Sequence, residues 1–349
     1  MPRKKKVTLK VIAQKLGLSV YTVSKALRGL PGMSEETRKE VIQLARRLGY
    51  LTKDQENSLI FEGIPRLAVK QRRFLLVTSS DVSLSPSIQQ LFQGLKERLF
   101  EHGHKIELAL MPESLTAQHF QSWVEQEGLL FSDGLFITAL IPEPLESMLL
   151  ELKLPRILLN FPPVGSKVDS VIWDVYDATR QSVQYLAANG HSRILYCGDA
   201  NKTRGYKLRW HAFVEAMKER GVQAREEDHL IHMPMSQEQW VDALKRQMER
   251  MKPTALMCAT ESNLPWIFYA CSEIGWQIPH DISLVALDHI RSRFIPGVTH
   301  PVLLMKETGY RAADRMLWRM ANPHLPYEHI RLQGPFFEGD TVKKLQPDR

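Results

Sequence analysis

Two stretches with helical spacing of apolar residues flank Gly17, close to the start of the 349-residue chain. The first follows Thr8, a residue type that caps helices well. Its apolar positions are Leu9, Ile12, Ala13 and Leu16. Gly17 suits the left-handed backbone that ends such a helix, and Ser19 is a cap for the next one. Residues 8–29 are therefore predicted to form two short helices joined by a tight turn, which is the helix-turn-helix layout.

The second predicted helix carries polar, aromatic and basic side chains on its outward face. These outward residues are Val20, Tyr21, Thr22, Ser24, Lys25 and Arg28. Such a set suits a helix in the major groove of DNA, where base edges and phosphates need contacts at close range. A third helix, capped by Ser34, would complete a three-helix head with Val41 and Leu44 in its buried stripe. The alternative is a small helical bundle with no role in nucleic-acid binding.

Positive charge is concentrated in this first segment. The first 50 residues contain 12 lysines and arginines against 3 glutamates, whereas the rest of the chain contains 34 basic against 36 acidic residues. Neutralisation of DNA phosphates requires a local field of this kind. The basic run at residues 2–6 is expected to be an arm near the DNA backbone, with a purely solubilising tail as the alternative.

The length and the cysteine content of the rest of the chain indicate what kind of protein it forms. After the head, about 275 residues remain, enough for a substantial core. Cys197, Cys258 and Cys271 lie in apolar stretches without metal-ligand spacing, which predicts reduced core thiols and no bound metal. The sequence contains neither an apolar run of the roughly 18 residues that a membrane span needs nor the apolar stretch of a signal peptide. We expect a cytoplasmic protein without a membrane partner.

From residue 74 onward, short β-rich runs alternate with amphipathic helical stretches. The predicted strands are residues 74–77, 105–111, 134–138, 156–159, 193–197, 230–232, 255–258 and 283–287. The predicted helices are residues 87–102, 116–127, 177–189, 210–220, 236–251 and 264–274. This alternation predicts an α/β body whose parallel sheets are covered by helices on both faces.

Polar residues follow most of the predicted strands. They are residues 78–81, Thr138, Asn160, Asp174, Asp199, Thr260, Glu261 and Asp288. Parallel sheets bind ligands outside the carboxyl ends of their strands, and these side chains suit a ligand rich in hydroxyls, such as a sugar or nucleoside. The plainer alternative is that strand ends are polar because loops begin there. The sequence has neither a glycine-rich phosphate loop nor a serine nucleophile elbow, which argues against catalytic residues and against a cofactor.

These segments resemble the lac repressor family of bacterial transcription regulators. The head matches through residues 7–27, 33–41 and 48–50. The matching segments of the body are residues 132–135, 154–160, 190–194 and 279–288. The resemblance implies an N-terminal all-α helix-turn-helix head joined to a two-lobed, periplasmic-binding-protein-like sensor with parallel sheets. The implied boundaries are residues 1–51 for the head, 52–73 for a hinge or linker, and 74–349 for the ligand-binding and dimerisation domain.

The resemblance assigns DNA contacts to the head. It places Val20, Tyr21 and Lys25 against base edges. Ser19, Thr22, Ser24 and Thr37 would contact phosphates. The implied DNA-binding set also includes Thr8, Arg28, Tyr50 and Leu59.

In the sensor, the resemblance implies a ligand site drawn from distant parts of the sequence. The implied set is Ser79, Asp81, Asn160, Arg209, Thr260, Glu261, Asp288 and Met305, and the strand-end pattern adds Thr138. Arg209 would grip ligand oxygens, Asp288 would close the site and Met305 would form an apolar wall. A surface charge on a helix is the alternative for Arg209. Thr260 and Glu261 stand where the family often has an Asn-Asp pair.

The linker departs from the family pattern. The family has a proline and an asparagine after the Gly-Tyr pair, followed by a hinge helix that wedges a leucine into the minor groove of bound DNA. Here residues 51–59 read LTKDQENSL, so that proline is missing and acidic residues are present, although Leu59 remains at the wedge position. Gly63 and Pro65 would interrupt a longer helix. We expect a partly working hinge, with a plain tether as the alternative.

The sequence thus predicts a homodimeric, ligand-responsive transcriptional regulator, a repressor, acting in the bacterial cytoplasm at the nucleoid. Its expected partners are double-stranded operator DNA, a small polyhydroxy effector and a second copy of the chain. One alternative is a DNA-binding protein whose sensor does not respond to a ligand. The other is a sugar-processing enzyme, such as a sugar kinase, fused to a DNA-binding head.

Overall fold

The structure is a computed structural model. It describes residues 7–27, 32–48, 50, 71–81, 85–232, 236–287 and 297–345. Within these residues, no helix is long and apolar enough to cross a membrane.

The head contains three helices around a small apolar core. They are α1 (Leu9–Leu16), α2 (Val20–Leu27) and α3 (Glu35–Leu48). Ile12 of α1, Val23 of α2 and Val41 of α3 are each fully buried in that core. Gly17 ends α1 in the left-handed conformation, with φ 64°. The predicted helix-turn-helix is therefore confirmed, and the apolar spacing selects the faces that pack together.

One of the predicted caps is confirmed in its position but lacks the side-chain hydrogen bond. Thr8 stands at the N-cap position of α1 with extended backbone, but its side chain makes no capping hydrogen bond. The carbonyl of Thr8 still accepts hydrogen bonds from the backbone of Val11 and Ile12, at 3.0 and 3.3 Å. The Ser19 hydroxyl does cap α2, accepting from the Thr22 amide at 3.0 Å, and the Ser34 hydroxyl accepts from the Thr37 amide at 3.1 Å.

The body contains two parallel sheets, and the first lobe is built on the larger one. Its strands are β1 (Arg73–Ser79), β2 (Lys105–Met111), β3 (Gly134–Thr138), β4 (Arg156–Leu159), β5 (Asp169–Trp173) and β10 (His329–Leu332). They are ordered β10-β5-β4-β3-β1-β2, and each neighbouring pair is parallel. The helices of this lobe are α4 (Pro86–Glu101), α5 (Phe120–Gln126), α6 (Glu143–Glu151) and α11 (Met305–Ala321).

The second lobe is built on a three-stranded sheet. Its strands, ordered β6-β7-β8, are β6 (Ile194–Cys197), β7 (Ala255–Cys258) and β8 (Ser283–Ala286). Its helices are α7 (Val175–Ala188), α8 (Arg204–Lys218), α9 (Gln237–Met251) and α10 (Leu264–Glu273). β9 (His300–Pro301) and β11 (Phe336–Phe337) form a short antiparallel pair. An isolated β-bridge between Thr299 and Val285 of β8 connects this pair to the sheet.

Alternation along the strands directs side chains to both faces of each sheet. In β1, Phe74 and Leu76 pack under α4 and α11, whereas Leu75 and Val77 pack in a cluster with α5 and α6. All four are at most 1% exposed. The predicted parallel sheets with helices on both faces are confirmed, because a strand buried on both sides has an apolar residue at nearly every position.

The chain passes between the lobes three times, after β5, after β9 and after β10. The crossings are hydrogen-bonded to one another: the Asp174 amide donates to the Leu332 carbonyl, and the Val302 amide to the Pro335 carbonyl, both at 2.8 Å. At Gly334 an added Cβ would lie 1.8 Å from the Val302 carbonyl oxygen, so only glycine fits there.

Several predicted elements differ from those in the structure. The predicted strand at residues 230–232 is not formed; the segment pairs beside β6 only through an isolated bridge between Leu230 and Cys197 and a hydrogen bond from the Ala200 amide to the Ile231 carbonyl. The helix predicted at residues 210–220 begins earlier, at Arg204, where Thr203 caps it. β5, α6, α11 and β10 were not predicted. β1 begins at Arg73, the last residue of the predicted linker, and the proposed domain boundaries remain predictions.

Candidate nucleic-acid interface and ligand site

The outward face of α2 presents the residues predicted to read DNA. Val20 is 40% exposed and Tyr21 67% exposed, both large apolar groups left in solvent by a helix whose other face is buried. The Lys25 ammonium lies 5.4 Å from the centre of the Tyr21 ring, so the positive charge and the ring form one patch. An exposed apolar and cationic patch on the second helix of this motif has the chemistry that base edges require.

The predicted phosphate contacts lie at helix N-termini. The hydroxyls of Ser19 and Thr22 are 2.8 Å apart at the start of α2, and those of Ser34 and Thr37 are 2.9 Å apart at the start of α3. Helix N-termini carry partial positive charge and free amide groups, which suit phosphate oxygens. The structure therefore places Ser19, Thr22 and Thr37 where such a contact is physically favourable.

For the other residues of the head that were predicted to contact DNA, the structure gives less information about a DNA contact. Tyr50 packs against the head core, and its amide donates to the Ala45 carbonyl at 2.9 Å. Ser24 is half-buried on α2. Arg28 and Leu59 lie outside the described residues, as do the basic arm and most of the linker.

In the first lobe, three polar side chains lie at the ends of adjacent strands. Val77 pairs with Ile137 in the β1–β3 register, which makes Thr78 and Thr138 neighbours on one face of the sheet. Thr78 is fully buried and Thr138 is 2% exposed, yet neither hydroxyl has a hydrogen-bond partner in the part of the chain that the structure describes. Asn160 follows β4 directly and is 2% exposed. Buried hydroxyls are ordinarily hydrogen-bonded, so these positions suit a ligand that can donate to and accept from them.

Three other predicted residues of this lobe border the same strand ends. Ser79 is 7% exposed but alternates to the opposite face of the sheet from Thr78, and Asp81 is exposed two residues beyond β1. Met305 is buried as the first residue of α11, which packs on the face that carries Thr78. Sequence reasoning placed Thr78 among the polar strand ends but did not assign it to the site.

In the second lobe, Arg209 and Thr260 come together although 50 residues separate them. Arg209 is 3% exposed, and its guanidinium donates to the carbonyl of Ala259, the residue before Thr260. The alternative of a surface charge is therefore wrong for Arg209. Thr260 is 7% exposed, and its hydroxyl is also without a partner among the described residues. Asp288 and the side chain of Glu261 lie outside the described part of the structure.

An aromatic cluster holds the Arg209 helix against its sheet. Trp210 and Phe213 of α8 stack with ring centres 5.6 Å apart, and His229 lies 5.2 Å from both rings. The His229 Nδ1 accepts the Tyr196 amide at 3.1 Å, and burial lowers the His229 pKa to about 4. The ring is therefore neutral at pH 7, as an acceptor in an apolar core must be.

The carboxyl ends of the two sheets approach each other beside these residues. Arg204, at the start of α8, donates through Nε to the carbonyl of Phe161 at 2.6 Å. Phe161 lies two residues beyond β4, and Arg204 seven residues beyond β6. This contact brings the strand ends of the two lobes beside each other, the arrangement in which two α/β lobes bind a ligand between them.

A helix-turn-helix head and a two-lobed α/β body with a polar cleft define a DNA-binding protein with a periplasmic-binding-protein-like domain. The family model described as bacterial regulatory proteins, lacI family, matches residues 8–53. The model described as periplasmic binding protein-like domain matches residues 183–342, so that the two cover more than half of the chain. The chain belongs to the LacI family of bacterial transcription regulators.

Relatives and solved structures agree with this membership. The HTH-type transcriptional repressor PurR of Escherichia coli O139:H28 is 25% identical over 348 residues, covering 94% of this chain and 98% of the relative. The lac repressor dimer bound to operator and an anti-inducer has a TM-score of 0.65 at 20% identity, covering 97% of this chain and 100% of that one. A LacI-family regulator from Enterococcus faecium with bound ribose also has a TM-score of 0.65, at 17% identity, over 79% of this chain and 100% of that one.

Proposed function

We propose that this protein is a transcriptional repressor whose affinity for operator DNA is controlled by a small polyhydroxy ligand in the cleft between the lobes. The observation that supports ligand binding is the set of buried hydroxyls of Thr78, Thr138 and Thr260 at the strand ends, which have no hydrogen-bond partner among the described residues. The patch formed by exposed Tyr21 and half-buried Lys25 on α2 supports DNA binding.

The ligand class follows from the donors and acceptors at the strand ends. A hydroxyl side chain can both donate and accept, as can the hydroxyls of a sugar or the ribose of a nucleoside. Arg209 supplies charged donors, which form stronger bonds to ligand oxygens than neutral groups do. Asn160, Ser79, Asp81, Glu261 and Asp288 are proposed as further polar contacts, and Met305 as the apolar wall.

The proposed mechanism needs two copies of the chain. One head offers few base contacts, so a dimer that binds two half-sites gains both affinity and specificity. Because half-site spacing on DNA is fixed, a ligand that changes the angle between the lobes changes the separation of the heads and thus the operator affinity. We place this activity at the nucleoid in the cytoplasm, because the operator is there.

The linker is proposed to act as a partly working hinge. Leu59 would wedge into the minor groove, while Asp54 and Glu56 oppose docking because they bring negative charge near phosphates. A gel-mobility bending assay tests this: Leu59→Ala is expected to lower both DNA bending and operator affinity. Unchanged bending and affinity would show that the linker is a tether.

The DNA half is tested by selection of binding sites from a random duplex library with the full-length protein. We expect a two-fold symmetric consensus, as dimeric helix-turn-helix proteins select. Recovery of sequences without any consensus would contradict operator recognition.

The ligand half is tested by a thermal-shift screen with sugars and nucleosides. We expect at least one compound to raise the melting temperature of the wild type and to have a smaller effect on Thr138→Val, which keeps the side-chain shape but removes the hydroxyl. The matched control is Thr341→Val, a buried threonine whose hydroxyl bonds the Leu284 carbonyl at 2.7 Å in the second lobe. An equal shift in melting temperature in wild type and Thr138→Val would show that the Thr138 hydroxyl does not contact the ligand. ATP turnover in the presence of the same sugars would instead favour the kinase alternative.

A further inference from the structure

One side chain, Arg204, connects the two lobes by several hydrogen bonds. Its Nη2 lies 2.6 Å from both carboxylate oxygens of Glu146 on α6 of the first lobe. Its Nε donates to the Phe161 carbonyl at 2.6 Å, also in the first lobe. Arg204 itself is the first residue of α8 in the second lobe, held by the Thr203 cap. The guanidinium therefore donates through Nε and Nη2 to the first lobe, and its Nη1 lies 3.5 Å from the exposed Glu143 carboxylate of the same lobe, while its backbone belongs to the second lobe.

The Glu146 carboxylate is an unusual partner because it is buried. Its side chain is 2% exposed, although the side chain of a glutamate is rarely fully buried. Burial raises the Glu146 pKa, while the hydrogen bond and charge of Arg204 act in the opposite direction. A buried carboxylate needs a paired charge to stay ionised, so Glu146 depends on a residue of the opposite lobe.

An apolar contact accompanies the ion pair. Phe161 packs in one cluster with Ile172 and Val175 and against Leu208 of α8. Gly205, next to Arg204, faces the same ring: an added Cβ would lie 3.5 Å from Phe161, in ordinary contact. The start of α8 therefore adheres to the first lobe through both charge and apolar surface.

Both ends of this connection are joined to proposed ligand residues. Phe161 follows Asn160 directly, and Arg204 lies five residues before Arg209 on the same helix. A movement that separates Arg204 from Glu146 must therefore also displace Asn160 relative to Arg209. The connection is thus built into the segments that would touch a ligand in the cleft.

We propose that Arg204 and Glu146 form an interlobe clasp that holds the lobes together without ligand and sets the resting state on which the effector acts. The proposal concerns the regulation of the site described above and rests on the proposed function for its role in DNA control. Arg204 acts here as a positioning residue for the cleft.

The test compares clasp variants with a matched ion pair. Arg204→Met removes the clasp but leaves Glu146 buried without a partner, so the double variant Arg204→Met/Glu146→Gln removes both charges and avoids that penalty. The control is Arg180→Met. Arg180 is 22% exposed against 23% for Arg204, and it bonds Glu219 at 2.7 Å at the other end of α8, within the second lobe.

The readout is the distance between the lobes in the full-length protein without DNA or effector. Nitroxide labels at Lys153→Cys and Gln223→Cys, exposed sites on the first and second lobes, give a distance distribution by pulsed electron resonance. Labelled protomers are diluted into unlabelled protein, so that only distances within one chain are measured. A parent without added cysteines reports background from the three native thiols, which are buried.

We expect the double variant to shift the distribution to longer distances by several ångströms and to broaden it, with Arg204→Lys between it and the wild type. Arg180→Met should leave the distribution unchanged. Identical distributions in the wild type and the double variant would overturn the clasp, and so would an equal shift in Arg180→Met, because α8 stability would then be the cause. Since neither DNA nor effector is present, these results are independent of whether the proposed repressor function holds.

Discussion

The head and the body place their candidate sites in different ways. In the head, Tyr21 and Lys25 lie four residues apart on one helix, so helical periodicity alone brings them to one face. In the body, the candidate cleft combines Thr78, Arg209 and Met305, which only the sheet order and the chain crossings bring together. The head site is thus a property of a short segment, whereas the body site is a property of the whole fold.

The largest loss of stability is expected at Gly334, where two of the segments that cross between the lobes are in close contact. Gly334→Ala would place a Cβ 1.8 Å from the Val302 carbonyl oxygen, which neither backbone can avoid without moving. We expect a loss of more than about 3 kcal/mol in the free energy of unfolding of the body. Urea denaturation followed by tryptophan fluorescence measures it, because all seven tryptophans of the chain lie in the body.

Gly205→Ala is the control for this crossing, since its Cβ would make ordinary contacts, 3.5 Å from the Phe161 ring and 3.7 Å from the Thr203 hydroxyl. Its effect should stay within about 1 kcal/mol, as for a helical glycine replaced by alanine. Comparable losses in both variants would show that the crossing is not specially constrained.

The second effect concerns pH and should be confined to the body, because the head segment, residues 1–50, contains no histidine. The folded-state pKa of His229 is about 4, below the ordinary value of 6.5, so the unfolded chain takes up a proton first as pH falls. Body stability contributed by the neutral ring is fully present above pH 6.5 and falls by on the order of 3 kcal/mol toward pH 4. Denaturation of wild type and His229→Gln between these pH values should show a smaller slope in the variant.

The third effect tests whether the head reads bases through α2. Tyr21→Ala is expected to cost about 2 kcal/mol on the selected operator and little on random DNA, because the ring is exposed and unneeded for the head core. The control is Lys15→Ala, because Lys15 is an exposed basic residue on α1. This substitution should weaken binding to the operator and to random DNA by the same factor. Fluorescence anisotropy on the two duplexes measures the difference. An equal loss of affinity for both duplexes in Tyr21→Ala would show that Tyr21 contacts the DNA backbone and not the bases.

The smallest effect compares two cap positions within the head. Ser19→Ala removes a hydroxyl that accepts the Thr22 amide at 3.0 Å, whereas Thr8→Ala removes one that makes no capping bond. We expect thermal unfolding of the head to show a loss of about 1 kcal/mol for Ser19→Ala and a few tenths for Thr8→Ala. Equal losses would mean that the hydroxyl bonds do not decide the stability of the caps.

The sequence predicted most of the head and the alternating elements of the body for the same reason. Periodicity and caps are local, and α1, α2, β2, β3, β4 and β7 match them closely. Thr8 stands at the predicted N-cap, but a suitable residue type at that position need not form the side-chain bond. The strand predicted at residues 230–232 has the composition of a strand, but its pairing beside β6 is limited to an isolated bridge at Leu230 and one hydrogen bond at Ile231.

The body site could be predicted only in part. Polar residues after strands indicated Thr138, Asn160 and Thr260, because their position depends on the strand that precedes them. The burial of Glu146 could not be predicted, since it depends on Arg204 in the other lobe, 58 residues away. Contacts between lobes have no local signature, and the sheet order that creates them became visible only in the structure.

The central claim is that a ligand in the cleft of the body changes DNA binding by the head. It is tested most directly by the operator affinity of the full-length protein, with and without a sugar or nucleoside that raises its melting temperature. We predict a change of roughly 5- to 150-fold in the wild type and a much smaller one in Thr138→Val. A compound that stabilises the body yet leaves operator affinity unchanged would contradict the account.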